Sequence, residues 1–148
     1  AARNASREAR FKEREAARAA LMSGDPKRLP ARDAGPVKAY VRDYIDSRLS
    51  VGELFIPVAL AVLLLGFLHV DWVQLLLVYI WIFMLVGVVI DGLWIWFRLR
   101  RNLAEKLPNE DPSGATFYGI MRALQLRRFR LPPPRVGIGG KPAKPRRR

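Results

Sequence analysis

The sequence predicts an all-α membrane protein: a two-helix transmembrane hairpin with amphipathic cytoplasmic helices and a disordered basic C-terminal tail. Charge segregation is the first observation behind this. Residues 1–53 hold 12 Lys and Arg, residues 54–97 none, and residues 98–148 hold 14. The second is that two long apolar runs fill the cation-free centre. The third is that the short connector between them carries no Lys or Arg. The three segments have net charges of +4, −2 and +11. A soluble domain mixes charge along its surface, whereas a lipid-embedded segment excludes Lys and Arg because each costs several kcal/mol at mid-bilayer.

Taken in order, residues 1–23 are rich in Ala, Arg and Glu, all strong helix formers, with pairs such as Glu8/Lys12 and Glu15/Arg18 three or four apart. Phe11, Leu21 and Met22 are the few large apolar groups, so this helix has little face to bury and calls for a partner. Gly24-Asp25-Pro26 ends it, and residues 24–35 read as a loop. Pro36 opens a second helix over residues 36–50, where Val37, Tyr40, Val41, Tyr44 and Ile45 form a stripe. Two readings of that stripe stand side by side: an interfacial helix on the inner leaflet, or a docking face for another protein with the tyrosines as anchors.

The first predicted span covers residues 51–70. Its apolar run, residues 54–70, is roughly 26 Å long as a helix. Pro57 is expected in its first turn, where a missing N–H costs little. Residues 71–74 form the predicted periplasmic turn, and residues 75–101 the second span, whose apolar run is roughly 35 Å long. Because the connector lacks Lys and Arg and the outer flanks begin with them, both termini are expected on the cytoplasmic side of the plasma membrane. Residues 108–131 form a cytoplasmic segment. It contains a helix capped by Asp111 or Ser113, with a narrow stripe of Phe117, Ile120, Met121 and Leu124, and it ends in the basic residues Arg127, Arg128 and Arg130. Residues 132–148 combine Pro, Gly, Lys and Arg and read as an extended or disordered tail.

Cysteine is absent, which excludes disulfides, thiolate metal sites and covalent haem attachment. The first apolar stretch arrives after fifty residues, so no cleavable signal peptide is expected. No nucleophile–base pair, metal-ligand spacing or phosphate loop occurs; Gly137-Ile138-Gly139-Gly140 has neither the strand nor the helix a dinucleotide loop needs. Catalysis and cofactor binding are therefore not expected. His69, at the outer turn, reads as an interfacial polar residue rather than a haem ligand. Asp91 is the one carboxylate well inside a span. The bland reading pairs it with Arg98 or with a polar group of the opposite helix near Glu53; a contact to a partner subunit is the functional alternative. A proton relay is disfavoured, since the core offers no series of protonatable groups. The stripe residues and Arg127, Arg128 and Arg130 are the expected contacts to a partner or to anionic phospholipid, the usual target of basic residues beside a membrane helix. Nucleic acid is disfavoured, because only Phe129 is interleaved with the cations.

The string LMSGDPKRLPARDAGPVKAYVRDYIDSRLSVGELFIPVAL, a two-span core and then FYGIMRALQLRRFRLPPPRV together resemble an actinobacterial membrane-protein family of unknown function, over roughly residues 5–136. One member of that family is similar to the protein found with the mycobacterial cytochrome bcc–cytochrome oxidase supercomplex and proposed there as an assembly factor. The resemblance implies a non-catalytic accessory or assembly subunit whose partners are larger respiratory membrane subunits. It also suggests contact surfaces around residues 33–36, 40–44 and 122–128. The competing expectation, from another functional class, is an anionic-lipid-binding hairpin that organises the inner leaflet; a membrane tether for nucleic acid is a weaker third.

Overall fold

A computed structural model describes residues 2–142. Five helices follow one another: α1 (Ala2–Ser23), α2 (Pro36–Asp46), α3 (Val51–Leu65), α4 (Asp71–Lys106) and α5 (Ala115–Leu124). Two 3-10 turns, Arg127–Phe129 and Ile138–Gly140, complete the described chain, which contains no strand beyond one antiparallel bridge between Val136 and Pro142.

The long helix α4 organises the molecule. Its 36 residues correspond to about 54 Å at 1.5 Å per residue. Its buried residues Val73, Leu77, Met84, Asp91, Ile95, Leu99 and Leu103 recur every four or seven positions, so they form one seam along the entire helix. In the first half the seam faces α3, where Val62, Val73 and Leu77 form a small cluster with Val58 and Ile80. Phe55 and Trp81 add an edge-to-face ring contact at 5.9 Å. In the second half the same seam faces a compact head: Ile95, Leu99 and Leu103 pack with Val37, Val41 and Ile45 of α2 and Ala115 and Ala123 of α5.

Among the described helices, α4 is long and apolar enough by itself to cross a membrane. The 15 residues of α3 reach only about 22 Å, short of a hydrocarbon core of about 30 Å; α2 and α3 qualify only as a pair bent by 54°. The connector lies earlier than expected, at residues 66–70, and α4 already starts at Asp71. Gln74, placed in the turn by sequence, is instead in the first turn of α4, and its Nε2 donates to the carbonyls of Gly66 (3.2 Å) and Leu68 (2.8 Å). A side chain from the helix start thus satisfies the orphan carbonyls of the preceding helix end.

Three local expectations are corrected. Pro57 is the seventh residue of α3, not part of its first turn, and it leaves the Glu53 carbonyl without an intrahelical donor. The cap of α5 is Gly114 at φ 70°, a left-handed position that suits glycine. Asp111 accepts the Ser113 N–H one step earlier, closing an Asx turn. Finally, residues 132–142 are folded rather than extended or disordered. Gly139 N donates to the Ser47 carbonyl, and the Pro132 carbonyl accepts from the Arg122 guanidinium. The tail folds because backbone and arginine hydrogen bonds replace the apolar mass it lacks. Residues 143–148 of the expected tail lie outside the described residues.

Gly119 marks a close packing point in the head: a Cβ there would meet Leu99 Cδ1 at 2.8 Å and Val41 Cγ1 at 3.1 Å. Gly92 has nothing within 4 Å of its Cβ position. We therefore expect Gly119→Ala to destabilise the chain by about 1–3 kcal/mol, and Gly92→Ala to be neutral or stabilising by up to about 1 kcal/mol. Thermal unfolding followed by circular dichroism in mild detergent measures both.

Candidate functional site

The most unusual feature of the head is a set of arginines and carboxylates buried together where α2, α3, α5 and the C-terminal segment meet. Asp46, at the last position of α2, is 1% exposed. Its carboxylate accepts from Arg122 Nε (3.1 Å) and Nη2 (2.6 Å), a bidentate fork, and from Arg130 Nη1 (2.9 Å). Arg130, with no exposed surface, also donates to Glu53 Oε1 and to the Gln125 carbonyl. Two negative and two positive side chains thus form a neutral group, and most of the guanidinium donors have a named acceptor. Arg127 reaches the Asp46 and Val136 carbonyls from the side, tying the C-terminal segment to the end of α2.

Local sequence explains why these groups arrive in one place. Asp46 ends α2 one residue after the stripe residue Ile45, so the apolar face that docks α2 carries it inward. Gly52, the second residue of α3, lets the backbone of α5 approach: a Cβ there would lie 2.9 Å from both the Ala123 carbonyl oxygen and Leu124 Cα. That close approach brings Glu53 within reach of Arg130.

Asp91 forms a second buried ion pair at the level where α4 passes from α3 to the head. Its carboxylate accepts from Arg48 and, at 3.0 Å, from the Val51 N–H. Ser50, at the N-cap of α3, makes no side-chain capping bond. Asp91 therefore caps α3 from a neighbouring helix, placing negative charge at the positive end of its dipole. The expected partner Arg98 instead stacks over Trp94, 5.6 Å from the ring centroid, and Arg100 does the same over Trp96. The alternative of a polar contact to the opposite helix near Glu53 is the one the structure contains, two residues away at Val51.

A third group joins the loop before α2 to α5. Asp33, almost fully buried, pairs with Arg32 at 3.0 Å, and the Arg42 guanidinium donates to the Asp33 carbonyl. Burial pushes the Tyr118 hydroxyl above its ordinary pKa; the adjacent Asp33 carboxylate adds to the shift and Arg42 works against it. The recess beside this group holds about 170 Å³, smaller than the usual range for small-molecule sites of roughly 300–1,000 Å³. Among the described residues no three metal-ligating carboxylates or imidazoles come together. The arrangement holds helices together.

The expected contact residues divide accordingly. Val37, Val41 and Ile45 are buried in the head, so they cannot lie on lipid or on a partner; the stripe is occupied by α4 and α5. Arg130 is wholly internal and Arg127 is engaged with backbone carbonyls. Tyr40, Tyr44 and Ile120 pack half-buried at the edge of the core, and Leu124 is likewise half-buried. Phe117 and Met121 stay exposed, as does much of Arg128. Sequence reasoning missed Asp33, Arg42, Asp46, Glu53 and Arg122 as a set. Their signal lay in the strings that carried the resemblance, which turn out to be internal contacts.

Residues 1–140 match a family model described as protein of unknown function (DUF3043). The chain is 37% identical over 141 residues to the uncharacterized protein Mb2229 of Mycobacterium bovis and to Rv2206 of Mycobacterium tuberculosis, covering 94% of this chain and 58% of each relative. It is 35% identical over 121 residues to ML0869 of Mycobacterium leprae, covering 80% of this chain and 52% of that protein. The chain thus spans a little over half the length of these relatives. No solved structure matches it.

Two outcomes follow from the buried groups. Asp46→Asn removes the charge that balances Arg122 and Arg130, and should destabilise the head by about 3–5 kcal/mol, since breaking a buried pair leaves an uncompensated charge; chemical unfolding in detergent reads this. Tyr118 has a folded-state pKa above that of the unfolded chain. The stability it contributes is therefore complete below about pH 10 and lost as pH rises through the folded value. Relative to Tyr118→Phe, the native chain should lose stability as pH is raised above about 10; parallel thermal melts of the two chains across that range would expose a flat difference if this were wrong.

Proposed function

The chain belongs to the DUF3043 family of proteins of unknown function, and from that premise we propose that it is a membrane-anchored, non-catalytic accessory or assembly subunit. In this reading α3 and α4 form a two-span hairpin in the plasma membrane, with both termini and the head on the cytoplasmic side. The hairpin packs on larger membrane subunits, and the head rests against their cytoplasmic face. The sequence resemblance directs the choice of partner to respiratory subunits, the cytochrome bcc complex and cytochrome oxidase.

The observation that carries the reading is the uncovered apolar surface of the hairpin. Leu63 and Leu64 on one arm, and Leu75, Tyr79, Phe83, Ile90 and Leu93 on the other, are all more than half exposed, with Phe83 at 81%. Patches of this extent mark contact with lipid or with another protein. Trp94 and Trp96, stacked by Arg98 and Arg100, sit where that surface ends. An aromatic ring under a guanidinium suits the headgroup level on the cytoplasmic side, where basic residues face anionic lipid. With α3 short, its span is completed by the bend into α2 and by residues 66–70, or by local thinning of the bilayer. The same Trp–Arg belt favours anionic phospholipid as a second contact beside the protein partner.

The test is affinity purification of a tagged copy from membranes solubilised in mild detergent, with mass spectrometry and haem difference spectra of the eluate. Co-elution of haem-bearing bcc or oxidase subunits, lost when Phe83 and Leu93 are replaced by bulky or polar groups, is the expected result. A chain that elutes without any larger membrane subunit overturns the proposal.

A further inference from the structure

Helix α1 has no role in the reading above. Residues 3–19 are all exposed, and α1 packs on no other helix over a substantial face. Its charges are not scattered. Arg3, Arg7, Arg10, Arg14 and Arg18 follow at intervals of four, three, four and four, which places all five within roughly 80° of arc. They span about 22 Å. Leu21 lies within the same arc, and Phe11 and Met22, 66% and 50% exposed, border it. The far side is Ala5, Ala9, Ala16 and Ala20. Among the described residues none of the five arginines is in an ion pair. Like charges at these spacings destabilise an isolated helix, so an anionic surface along this face would stabilise α1.

We propose that α1 lies along an anionic phospholipid surface, with the five guanidinium groups on lipid phosphates and Phe11, Leu21 and Met22 in the headgroup region. The planar, five-donor guanidinium suits phosphate oxygens. The apolar side chains on the arginine face select lipid over nucleic acid or an acidic protein, because a bilayer interface accepts both kinds of group on one side of a helix. Residues 24–29 lead from α1 to the turn at Pro30 that holds the buried Asp33, and six residues extend up to about 20 Å, which sets the reach of α1 from the head. The inference rests on the hairpin reading, which keeps the head at a membrane surface.

The chain has no cysteine, so single substitutions Phe11→Cys, Ala16→Cys and Phe83→Cys each accept one environment-sensitive fluorophore in the full-length protein. Each is reconstituted in phosphatidylcholine alone and in phosphatidylcholine with about 30% phosphatidylglycerol. The label at position 11 should move to an apolar environment only with phosphatidylglycerol, while the label at position 16 stays aqueous. Replacing the five arginines by Gln should abolish the shift, with the docked-to-free ratio falling about fivefold for each arginine removed. Position 83 should be buried in both membranes. A position 11 label that ignores phosphatidylglycerol, responds equally at position 16, or moves only on addition of RNA, while position 83 is buried, overturns the inference alone. An aqueous label at position 83 overturns the hairpin reading and the inference with it.

Discussion

The balance of charge around Asp46 is the constraint on which the rest of the head depends. One carboxylate, sealed from solvent, faces Arg122 and Arg130 across sequence separations of 76 and 84 residues. Glu53 neutralises the second positive charge. Removing four ionised groups from water is expensive, and the attraction between them offsets that cost only when geometry is good and the remaining donors are satisfied. Here the carbonyls of Gln125 and Pro132 accept much of what is left. The cluster therefore acts less as a source of stability than as a specifier of arrangement: α2, the start of α3, α5 and the C-terminal segment can each take only one position that leaves no charge alone.

A single seam on α4 joins this head to the hairpin. Above Asp91 it meets the aliphatic side chains of α3; below, it meets α2 and α5. Asp91 stands at the changeover, and by accepting the Val51 N–H and Arg48 it fixes both the start of α3 and the end of the segment after α2. An acidic residue between two apolar stretches of one helix thus has a structural explanation. The 54° bend between α2 and α3 turns on the short segment that Asp91 holds.

The outward surface divides as the charge pattern does. The hairpin leaves large apolar side chains uncovered, the head encloses most of its own, and α1 stands apart with its arginines on one side. Among the described residues the exposed surface is therefore of two kinds, apolar along α3 and α4 and basic along one side of α1.

The helices and their order were legible in the sequence because periodicity, Pro36, Gly24 and the charge gap are local signals. Helix α1 occupies residues 2–23, ahead of Gly24, and α2 opens at Pro36. The turn was displaced because Leu68, His69 and Val70 are as apolar or interfacial as a span end, and only Gln74 reaching back to Gly66 and Leu68 reveals where the chain reverses. The partners of the stripe Val37, Val41 and Ile45 were beyond reach, since an apolar helix face reads alike whether lipid, another protein or the same chain covers it. The arginines of the basic segment posed the same ambiguity in stronger form. Sequence alone determined that this is a helical protein with a cation-free apolar centre between basic flanks, since exclusion of charge from such a run is a property of composition. Only the tertiary structure decided that Arg122, Arg127 and Arg130 turn inward, because an arginine is buried or solvated according to whether a carboxylate or carbonyl some eighty residues away arrives to meet it.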